Sequence, residues 1–188
     1  MSRFAQYTPA NAPEASRPLL DQVNKALGFV PNLFASMAES PALLGGALAL
    51  DAALDKGALS AVERQLVKIA VSTENGCAYC VAAHSTLAGM LKARPDIVAA
   101  VRTGASVDDA KTQALIHFTR AVVQAKGFVR EEEIAAFLAA GYTKAQLLEV
   151  VGHVAAKTLQ NYSHALTSAP LDEQFESQRW DVEQLEAA

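Results

Sequence analysis

The sequence predicts an all-α protein. Alanine and leucine are abundant, β-branched residues form no long alternating run, and successive segments repeat the three-and-four spacing of amphipathic helices. With 188 residues, the chain is long enough to bury a substantial core, either as one domain or as two related helical halves. The fold should therefore be stable without a disulfide or a structural metal.

Proline and glycine mark the helix boundaries in the first half of the chain. Gly28 ends the first helix, Pro31 leads into a short one, and Pro41 begins a third that Gly57 closes. The Asn75-Gly76 pair ends the fourth helix directly before the first cysteine. The predicted helices of this half are Pro18–Leu27, a short one after Pro31, Pro41–Lys56, one from Ser60 to the Asn75-Gly76 pair, Cys77–Lys92 and Asp96–Thr103.

Two helices begin with the spacing of a capping box, Ser60 with Glu63 and Thr143 with Gln146. The predicted helices of the second half are Asp108–Lys126, Arg130–Ala140 and Lys144–Thr167. All these elements form a helical domain at 18–170 that follows an extended N-terminal arm at 1–17. An acidic C-terminal tail at 171–188 is expected on the surface or on a neighbouring subunit.

Composition and charge exclude several classes of protein. Lys and Arg total 16 against 20 Asp and Glu, and the basic residues are scattered, so a nucleic-acid surface is not expected. The first twenty residues contain three prolines and no apolar stretch typical of a signal peptide. No apolar run reaches the length of a membrane span. We expect a soluble, cytoplasmic protein with no nucleic-acid or membrane partner.

The stretch NGCAYCVAAHS at residues 75–85 contains the only two cysteines of the chain. With about 100° per residue on a helix, Cys80 lies roughly 60° from Cys77 around the axis, and His84 falls between them. All three side chains therefore share one helix face. Because both sulfurs are at or near a helix N-terminus and an imidazole is close, the thiolate form, which attacks peroxides and disulfides, is favoured.

Three interpretations of the cysteine pair are open. A redox couple is chemically reasonable, since the second thiol is adjacent when the first is oxidised to a sulfenic acid. A zinc site would use Cys77, Cys80 and His84, with His153 or His164 as a fourth ligand, but no second ligand pair of the usual kind is evident. The third interpretation is two small core residues beside a buried histidine. We favour redox chemistry and expect no bound metal.

The residues around the pair resemble a known superfamily. LSAVERQLVKIAVSTENGCAYCVAAHSTL is similar to the core motif of the alkylhydroperoxidase D-like (AhpD-like), or carboxymuconolactone decarboxylase, superfamily, with the C-x-x-C-x-x-x-H signature in a core at 60–93. GFVPNLFASMAESPALL and KTLQNYSHALTSAPLDEQF resemble segments of its peroxidase-related branch. The resemblance implies an AhpD-like antiparallel helical bundle around the dithiol helix, usually in a homo-oligomer such as a trimer or hexamer.

The resemblance also implies roles for the site residues. Cys80 takes the place of the thiol that attacks the hydroperoxide, and Cys77 that of the thiol that resolves the sulfenic acid as a disulfide. His84 occupies the place of the histidine that follows the pair, which belongs to a Glu-and-His proton relay. The sequence has no phosphate loop, flavin motif or nicotinamide motif, so we expect no cofactor. The electrons are then expected from an external thiol reductant, a lipoyl or thioredoxin-like partner.

The sequence departs from the superfamily pattern in the relay. Gln65 stands where the relay glutamate is expected, and an amide can hold a hydrogen-bond network but cannot act as a general base. Glu63 is the nearest acidic substitute and is our fourth candidate catalytic residue, although it lies about 200° away on the same helix and also matches a capping box. Tyr79 replaces a histidine between the cysteines. Glu74 is closer to the pair but is expected to be solvated.

The remaining histidines carry less information. His117 is expected to pack within a helix, His153 to be structural, and His164 either to line the site or to be structural. Leu, Val, Phe and Ala in the flanking helices predict an apolar pocket beside the dithiol, which suits organic hydroperoxides better than a charged substrate.

The predicted function is therefore a dithiol peroxidase, similar to an alkyl hydroperoxide reductase, that acts through Cys80 and Cys77. Two alternatives remain. A carboxymuconolactone decarboxylase-like enzyme would not need the cysteines and would have a basic anchor in its pocket, for which the sequence offers no obvious residue. A non-enzymatic thiol redox sensor or binding protein would be oxidised once without turnover.

Overall fold

The protein is built from α-helices. The computed structural model describes residues 2–183, and no β-strand occurs in that part of the chain. The predicted all-α fold is confirmed, and the predicted helices are all present with ends within two residues of the expected ones. The helices are α1 (Arg17–Leu27), α2 (Asn32–Met37), α3 (Pro41–Leu54), α4 (Ala61–Glu74), α5 (Ala78–Met90), α6 (Pro95–Thr103), α7 (Ala110–Gln124), α8 (Glu131–Ala139) and α9 (Lys144–Thr167), with short 3-10 helices η1 (Glu14–Ser16) and η2 (Glu173–Gln178).

The helix ends have the local geometry that the sequence predicts. Gly28 ends α1 in the left-handed conformation, with a φ of 82°. The Ser60 hydroxyl accepts a hydrogen bond from the Glu63 N–H, and the Glu63 carboxylate accepts one from the Ser60 N–H. Thr143 and Gln146 form the same capping box at the start of α9. Because these bonds are local, they satisfy the free N–H groups of a helix start whatever packs around it.

Helix α4 lies at the centre of the bundle. Its residues 66–73 are buried without interruption, and therefore on every side of the helix. It packs against α5, α7 and α9, and α9 also packs against α3. A charged side chain within this buried stretch, such as that of Lys68, has to find its partners inside the protein.

The C-terminal segment packs onto α5 instead of forming a surface tail. Asp172, Phe175 and Trp180 are all buried, and η2 lies against α5. The Trp180 indole N–H donates to the Arg102 carbonyl at 3.0 Å. The prediction was wrong for residues 171–180 because the segment's two aromatic rings bury apolar area that its acidic character does not reveal. The end of the predicted tail, residues 184–188, lies outside the described residues.

The N-terminal arm precedes the first α-helix and lies along the bundle. The Arg3 N–H donates to the Thr167 carbonyl at the end of α9, at 2.8 Å. The Tyr7 N–H donates to the Ala35 carbonyl on α2 at 3.4 Å, and Ala12 is buried. The arm therefore bridges elements that are distant in sequence.

Within residues 2–183, no single helix combines the length and apolar character needed to cross a membrane. Helices α8 and α9 reach the length and apolar composition of a membrane span only when they are taken together. The chain is bent by 117° where they join.

Candidate active site

The turn between α4 and α5 determines where the dithiol helix begins. Gly76 has a φ of 64°, and its N–H donates to the Thr73 carbonyl at 3.0 Å, while the Cys77 N–H donates to the Ser72 carbonyl at 2.9 Å. These two bonds form a Schellman motif, which ends α4 at the glycine. Cys77 becomes the N-cap residue of α5, so Cys80 occupies the third position of that helix.

Cys80 and His84 line a cavity of about 270 Å³. Both side chains are largely buried, with 1% and 8% of their surface exposed. Cys77 is also buried and hydrogen-bonded to Cys80 but does not line the cavity. Both cysteines are free thiols. The volume lies near the lower end of the range of about 300–1,000 Å³ for ligand pockets, so the cavity suits a small molecule.

One wall of the cavity is apolar, as the flanking helices predict. It is formed mainly by α1, α2 and α3, with one aromatic ring from η2. The side chains of this wall include Val23, Leu27, Leu33, Phe34, Leu48 and Phe175. An apolar wall of this kind favours binding of the organic part of a substrate.

The cavity also has a polar wall, formed by Asp51, Lys68, Lys157 and Gln160, which the sequence analysis did not predict. The Lys68 ammonium on α4 donates to Asp51 Oδ1 on α3 at 2.9 Å, and the Gln160 amide on α9 donates to Asp51 Oδ2 at 2.6 Å. Lys157, one turn before Gln160, donates to its amide oxygen. Burial opposes ionisation of Asp51, but Lys68 and Lys157 outweigh it and hold the pKa of the carboxyl below its usual value.

His84 is held in place by Gln65 on α4. The ring Nδ1 lies 2.8 Å from the amide oxygen of Gln65. Because that oxygen only accepts hydrogen bonds, Nδ1 carries the proton and Nε2 is left as an acceptor. Burial lowers the pKa of His84 well below its usual value, with further lowering by Lys157 and Lys68, so the ring is neutral near pH 7. Gln65 therefore holds a hydrogen-bond network with His84, as expected for an amide side chain at this position.

The two thiols have opposite acidities. A hydrogen bond from the Cys77 thiol lowers the pKa of Cys80, and although burial works against the thiolate, the Lys157 ammonium and the Asn161 amide lower it further. The same bond to Cys80, together with burial, raises the pKa of Cys77. The position of Cys80 in the first turn of α5 also favours negative charge. Cys80 is therefore the thiol arranged to react as a thiolate.

Comparisons with known proteins match the fold and the segment that contains the dithiol. Residues 41–124 match the carboxymuconolactone decarboxylase family model. An uncharacterized peroxidase-related protein from Ralstonia eutropha JMP134, described as an alkylhydroperoxidase AhpD core, is similar over 93% of this chain and 94% of its own. Its TM-score is 0.83 at 26% sequence identity. The chain is therefore similar to the AhpD-like, or carboxymuconolactone decarboxylase, superfamily, and the family match covers α3 to α7.

Two further solved structures share the fold at lower identity. An uncharacterized peroxidase-related protein from Silicibacter sp. TM1040 has a TM-score of 0.79 at 19% identity and covers 94% of this chain and 93% of its own. A cysteine-to-alanine variant of the debrominase Bmp8, in complex with 2,3,4-tribromopyrrole, has a TM-score of 0.79 at 17% identity, with 95% and 96% covered. A search of curated proteins found no match.

Glu63, the candidate substitute for the relay glutamate of the superfamily, is engaged away from the cavity. Its carboxylate accepts hydrogen bonds from the Ser60 N–H and the Tyr142 hydroxyl, each at 2.8 Å, and it does not line the cavity. Burial opposes its ionisation, but these bonds outweigh it and keep the pKa of Glu63 below its usual value. Glu74 faces α7, where it pairs with Arg120 at 3.4 Å. Neither carboxylate is brought to the dithiol.

We expect Glu63→Gln to leave oxidation of Cys80 by hydroperoxide unchanged and to lower the free energy of unfolding by about 0.5–2 kcal/mol, because it weakens a helix cap. Stopped-flow oxidation and urea unfolding measure the two effects, with Glu74→Gln as a second acidic control. A large loss of oxidation rate at unchanged stability would instead make Glu63 part of the relay.

Tyr79, which replaces the superfamily's histidine between the cysteines, joins α5 to the C-terminal segment. Its hydroxyl donates to Asp172 at 2.5 Å and accepts from the Leu33 N–H at 3.3 Å. Its ring stacks on His164, with the centroids 4.9 Å apart. Burial, followed by the Asp172 carboxylate, raises the pKa of Tyr79 far above the neutral range. Tyr79 therefore stays protonated and cannot shuttle protons.

The other histidines lie in three different environments. His117 lies in a helix, as expected, on the exposed side of α7 and 3.8 Å from Glu133. His164 donates from Nε2 to the Ala169 carbonyl at 3.0 Å, and it lines a second cavity of about 190 Å³ rather than the dithiol cavity. His153 is completely buried, and neither ring nitrogen has a hydrogen-bond partner within residues 2–183.

The zinc interpretation lacks the geometry it requires. It needs Cys77, Cys80 and His84 close enough together to bind one ion, with His153 or His164 as a fourth ligand or with the fourth position open. In the part of the chain that the structure describes, no three His, Cys, Asp or Glu side chains lie close enough together to hold a metal ion.

Sequence reasoning missed the two lysines of the cavity. Each is a single charge within a largely apolar run, Lys68 in LVKIAV and Lys157 in VAAKTL. Lysine is rarely buried unless it is paired. A lone lysine on an apolar helix face is therefore the sequence signal of a buried, paired lysine. The expectation that the pocket has no basic group is thus corrected, as is the expectation that it is apolar throughout.

Proposed function

We propose that this protein is a dithiol peroxidase that reduces small organic hydroperoxides through Cys80 and Cys77. The observation that carries the proposal is the position of Cys80, at the first turn of α5 and on the cavity, with a lowered pKa and a second thiol hydrogen-bonded to it. A thiolate facing a small cavity has access to the substrate, and the neighbouring thiol is placed to form a disulfide.

The reaction begins with attack of the Cys80 thiolate on the terminal oxygen of the hydroperoxide. The S–O bond forms, the O–O bond breaks, and the alkoxide leaves and is protonated to the alcohol. Cys77 then loses its proton and attacks the sulfenic sulfur of Cys80, and the hydroxide leaves as water. The resulting disulfide is reduced by two electrons from an external thiol reductant, which restores both thiols.

His84 orients the hydroperoxide in this proposal. Its neutral ring donates to Gln65 through Nδ1, so Nε2 is free to accept the O–H of the hydroperoxide. A hydrogen bond to that hydrogen holds the terminal oxygen near Cys80, which lines the same cavity. Gln65 thereby orients His84, as a residue of a proton relay would, but it does not itself transfer a proton.

The cavity and the surface support the remaining parts of the proposal. The apolar wall favours an organic hydroperoxide over hydrogen peroxide, and the volume favours a small one. The electron donor is proposed to be a lipoyl or thioredoxin-like thiol, and the active form a homo-oligomer such as a trimer or hexamer. The outer face of α9 supports an oligomer contact, since Leu148, Tyr162 and Leu166 are each more than half exposed along it.

A decarboxylase-like reaction is the second candidate function. The two lysines of the cavity provide the basic group that this alternative requires for a carboxylate substrate. Lys68 is already paired with Asp51, which leaves Lys157 as the group that would bind the carboxylate. This candidate predicts an activity that does not depend on either cysteine.

The mass of the reduced protein after exposure to a small alkyl hydroperoxide tests the peroxidase proposal. We expect the wild type to lose two hydrogens as the disulfide forms, and Cys77→Ser to gain one oxygen because the sulfenic acid on Cys80 has no thiol to resolve it. Cys80→Ser is the control and should keep its mass. If neither the wild type nor Cys77→Ser changes mass, the proposal fails, and the decarboxylase-like candidate becomes the better one.

A further inference from the structure

Lys157 is a buried cation without a carboxylate partner. Only 2% of its surface is exposed, and within residues 2–183 its ammonium forms no salt bridge. Its hydrogen-bond partner there is the amide oxygen of Gln160, which carries no charge. An ammonium has three N–H donors, so two remain for other groups in the cavity that Lys157 lines.

The carboxylates nearest to Lys157 are already occupied. Asp51 pairs with Lys68 through one oxygen and accepts from Gln160 through the other. Asp55, which also lines the cavity, pairs with Arg64 at 3.2 Å. Gln160 therefore bridges Lys157 and Asp51 through its amide, and because Asp51 is shared between Lys68 and Lys157, these three side chains keep a net positive charge until another negative group forms nearby.

Cys80 is the group on the cavity that supplies this negative charge. The side chains of Cys80 and Lys157 line the same cavity from α5 and α9, and each acts electrostatically on the other. The remaining charged and titratable groups around Lys157 are Asp51 on α3, Asp55 at the C-cap of α3, Lys68 on α4, Cys77 at the N-cap of α5, His84 on α5, and His153 one turn earlier on α9.

We propose that the Lys157 ammonium is both the counter-ion of the Cys80 thiolate and the acid that protonates the leaving alkoxide. This inference rests on the proposed peroxidase function and names the residue that performs the proton transfer which Gln65 cannot perform. It also assigns Gln160 as the positioning residue that orients Lys157.

The proton balance closes through Lys157. When Cys80 attacks, the O–O bond breaks, and the alkoxide takes a proton from the ammonium, which leaves the alcohol, the sulfenic acid and a neutral amine. The amine takes the proton of the Cys77 thiol, and the Cys77 thiolate attacks the sulfenic sulfur. The departing hydroxide takes that proton back from Lys157 and leaves as water. The external dithiol then supplies the two electrons and two protons that restore the cysteines, with Lys157 charged again.

Burial suits Lys157 to this role. Desolvation lowers the pKa of Lys157, while the Cys80 thiolate acts in the opposite direction. An ammonium with a lowered pKa donates its proton more readily than one in water. When the thiolate is consumed by the reaction, the negative charge that stabilises the ammonium disappears, so the proton is released at the step that requires it.

The titration of Cys80 tests the inference in a protein where the other thiol is absent. In a Cys77→Ala background, the thiolate is followed by its ultraviolet absorbance against pH, and its oxidation by a small alkyl hydroperoxide by stopped flow. We expect Lys157→Met to raise the pKa of Cys80 by about one unit or more, which moves the midpoint of the thiolate titration to higher pH and lowers the thiolate fraction at neutral pH by at most about tenfold per unit. Lys111→Met, which removes an exposed lysine from α7, should change neither quantity.

A second variant protects the test against misfolding. Lys157→Gln keeps a hydrogen-bond donor for Gln160 and removes only the charge, so it should raise the Cys80 pKa in the same way. Unchanged titration and oxidation in the folded variants would overturn the role of Lys157 while leaving the peroxidase proposal intact. Absence of oxidation in the Cys77→Ala parent would instead contradict the peroxidase proposal, and the thiolate titration would still decide whether Lys157 is the counter-ion.

Discussion

Cys80→Ser is expected to reduce the turnover of small organic hydroperoxides to the uncatalysed background, a loss of roughly a thousandfold or more. A serine hydroxyl stays protonated at neutral pH and has no sulfur that can accept an oxygen atom. The helix start that acidifies Cys80 cannot acidify a hydroxyl to the same extent. Hydroperoxide consumption in the presence of a dithiol such as dihydrolipoamide measures the effect.

Cys77→Ser is the matched variant for this measurement. It keeps the reactive Cys80 but removes the resolving thiol, so we expect a single rapid oxidation followed by slow turnover that depends on the external thiol. Circular dichroism should show the same helix content in both variants.

The same experiment separates the three functional hypotheses. Turnover of hydroperoxide that survives in Cys80→Ser would contradict the peroxidase mechanism. Activity of Cys80→Ser on a lactone carboxylate would support the decarboxylase-like candidate. Oxidation of the wild type without turnover under any thiol reductant would instead identify a redox sensor.

The second large expected effect concerns the acid stability that depends on His153. Burial, followed by the Lys68 ammonium, lowers the pKa of His153 to about 4. The unfolded chain has an ordinary histidine pKa of about 6.5, so between these values the unfolded state binds more protons than the folded state. Stability is therefore lost as the pH falls from about 6.5 towards 4. The difference corresponds to about 3 kcal/mol for this one side chain.

His153→Phe should remove this part of the acid sensitivity. The free energy of unfolding is measured with urea at neutral and at acidic pH. Its decrease between the two is expected to be about 3 kcal/mol smaller in the variant than in the wild type. At neutral pH the variant should be at least as stable, because neither ring nitrogen of His153 has a partner to lose among the described residues. His117→Phe, at an exposed position, is the control, and its stability should fall as much as that of the wild type when the pH is lowered. Equal acid sensitivity in wild type and His153→Phe would contradict the prediction.

The helices could be predicted because their signals are local. Gly28 and the capping boxes at Ser60 and Thr143 act on backbone groups within a few residues, and the structure contains each of them. The placement of Cys80 and His84 on one face of α5 follows from helix periodicity alone, whereas Cys77 is the non-helical N-cap residue and does not line the cavity. The family resemblance of the dithiol segment was recognisable for the same reason, since its signature lies within one helix and the turn before it.

The polar wall could not be predicted because its members come from three helices. Asp51 and Gln160 are 109 residues apart, and Lys68 and Asp51 are 17 apart on different helices. Their pairing depends on the packing of α3 and α9 around α4, which no local pattern specifies. The burial of the C-terminal segment is of the same kind, since the Tyr79 hydroxyl reaches Asp172 across 93 residues.

The sequence by itself determined the helices, their caps and the dithiol face, because hydrogen bonds and periodicity within a helix depend on neighbouring residues. Only the tertiary structure decided which charges meet Cys80. It placed Lys157 on the cavity and Glu63 away from it, because a buried charge has a strong influence only on groups within a few ångströms. The acidity of the reactive thiol is thus a property of the assembled bundle, whereas the position of that thiol is a property of the sequence.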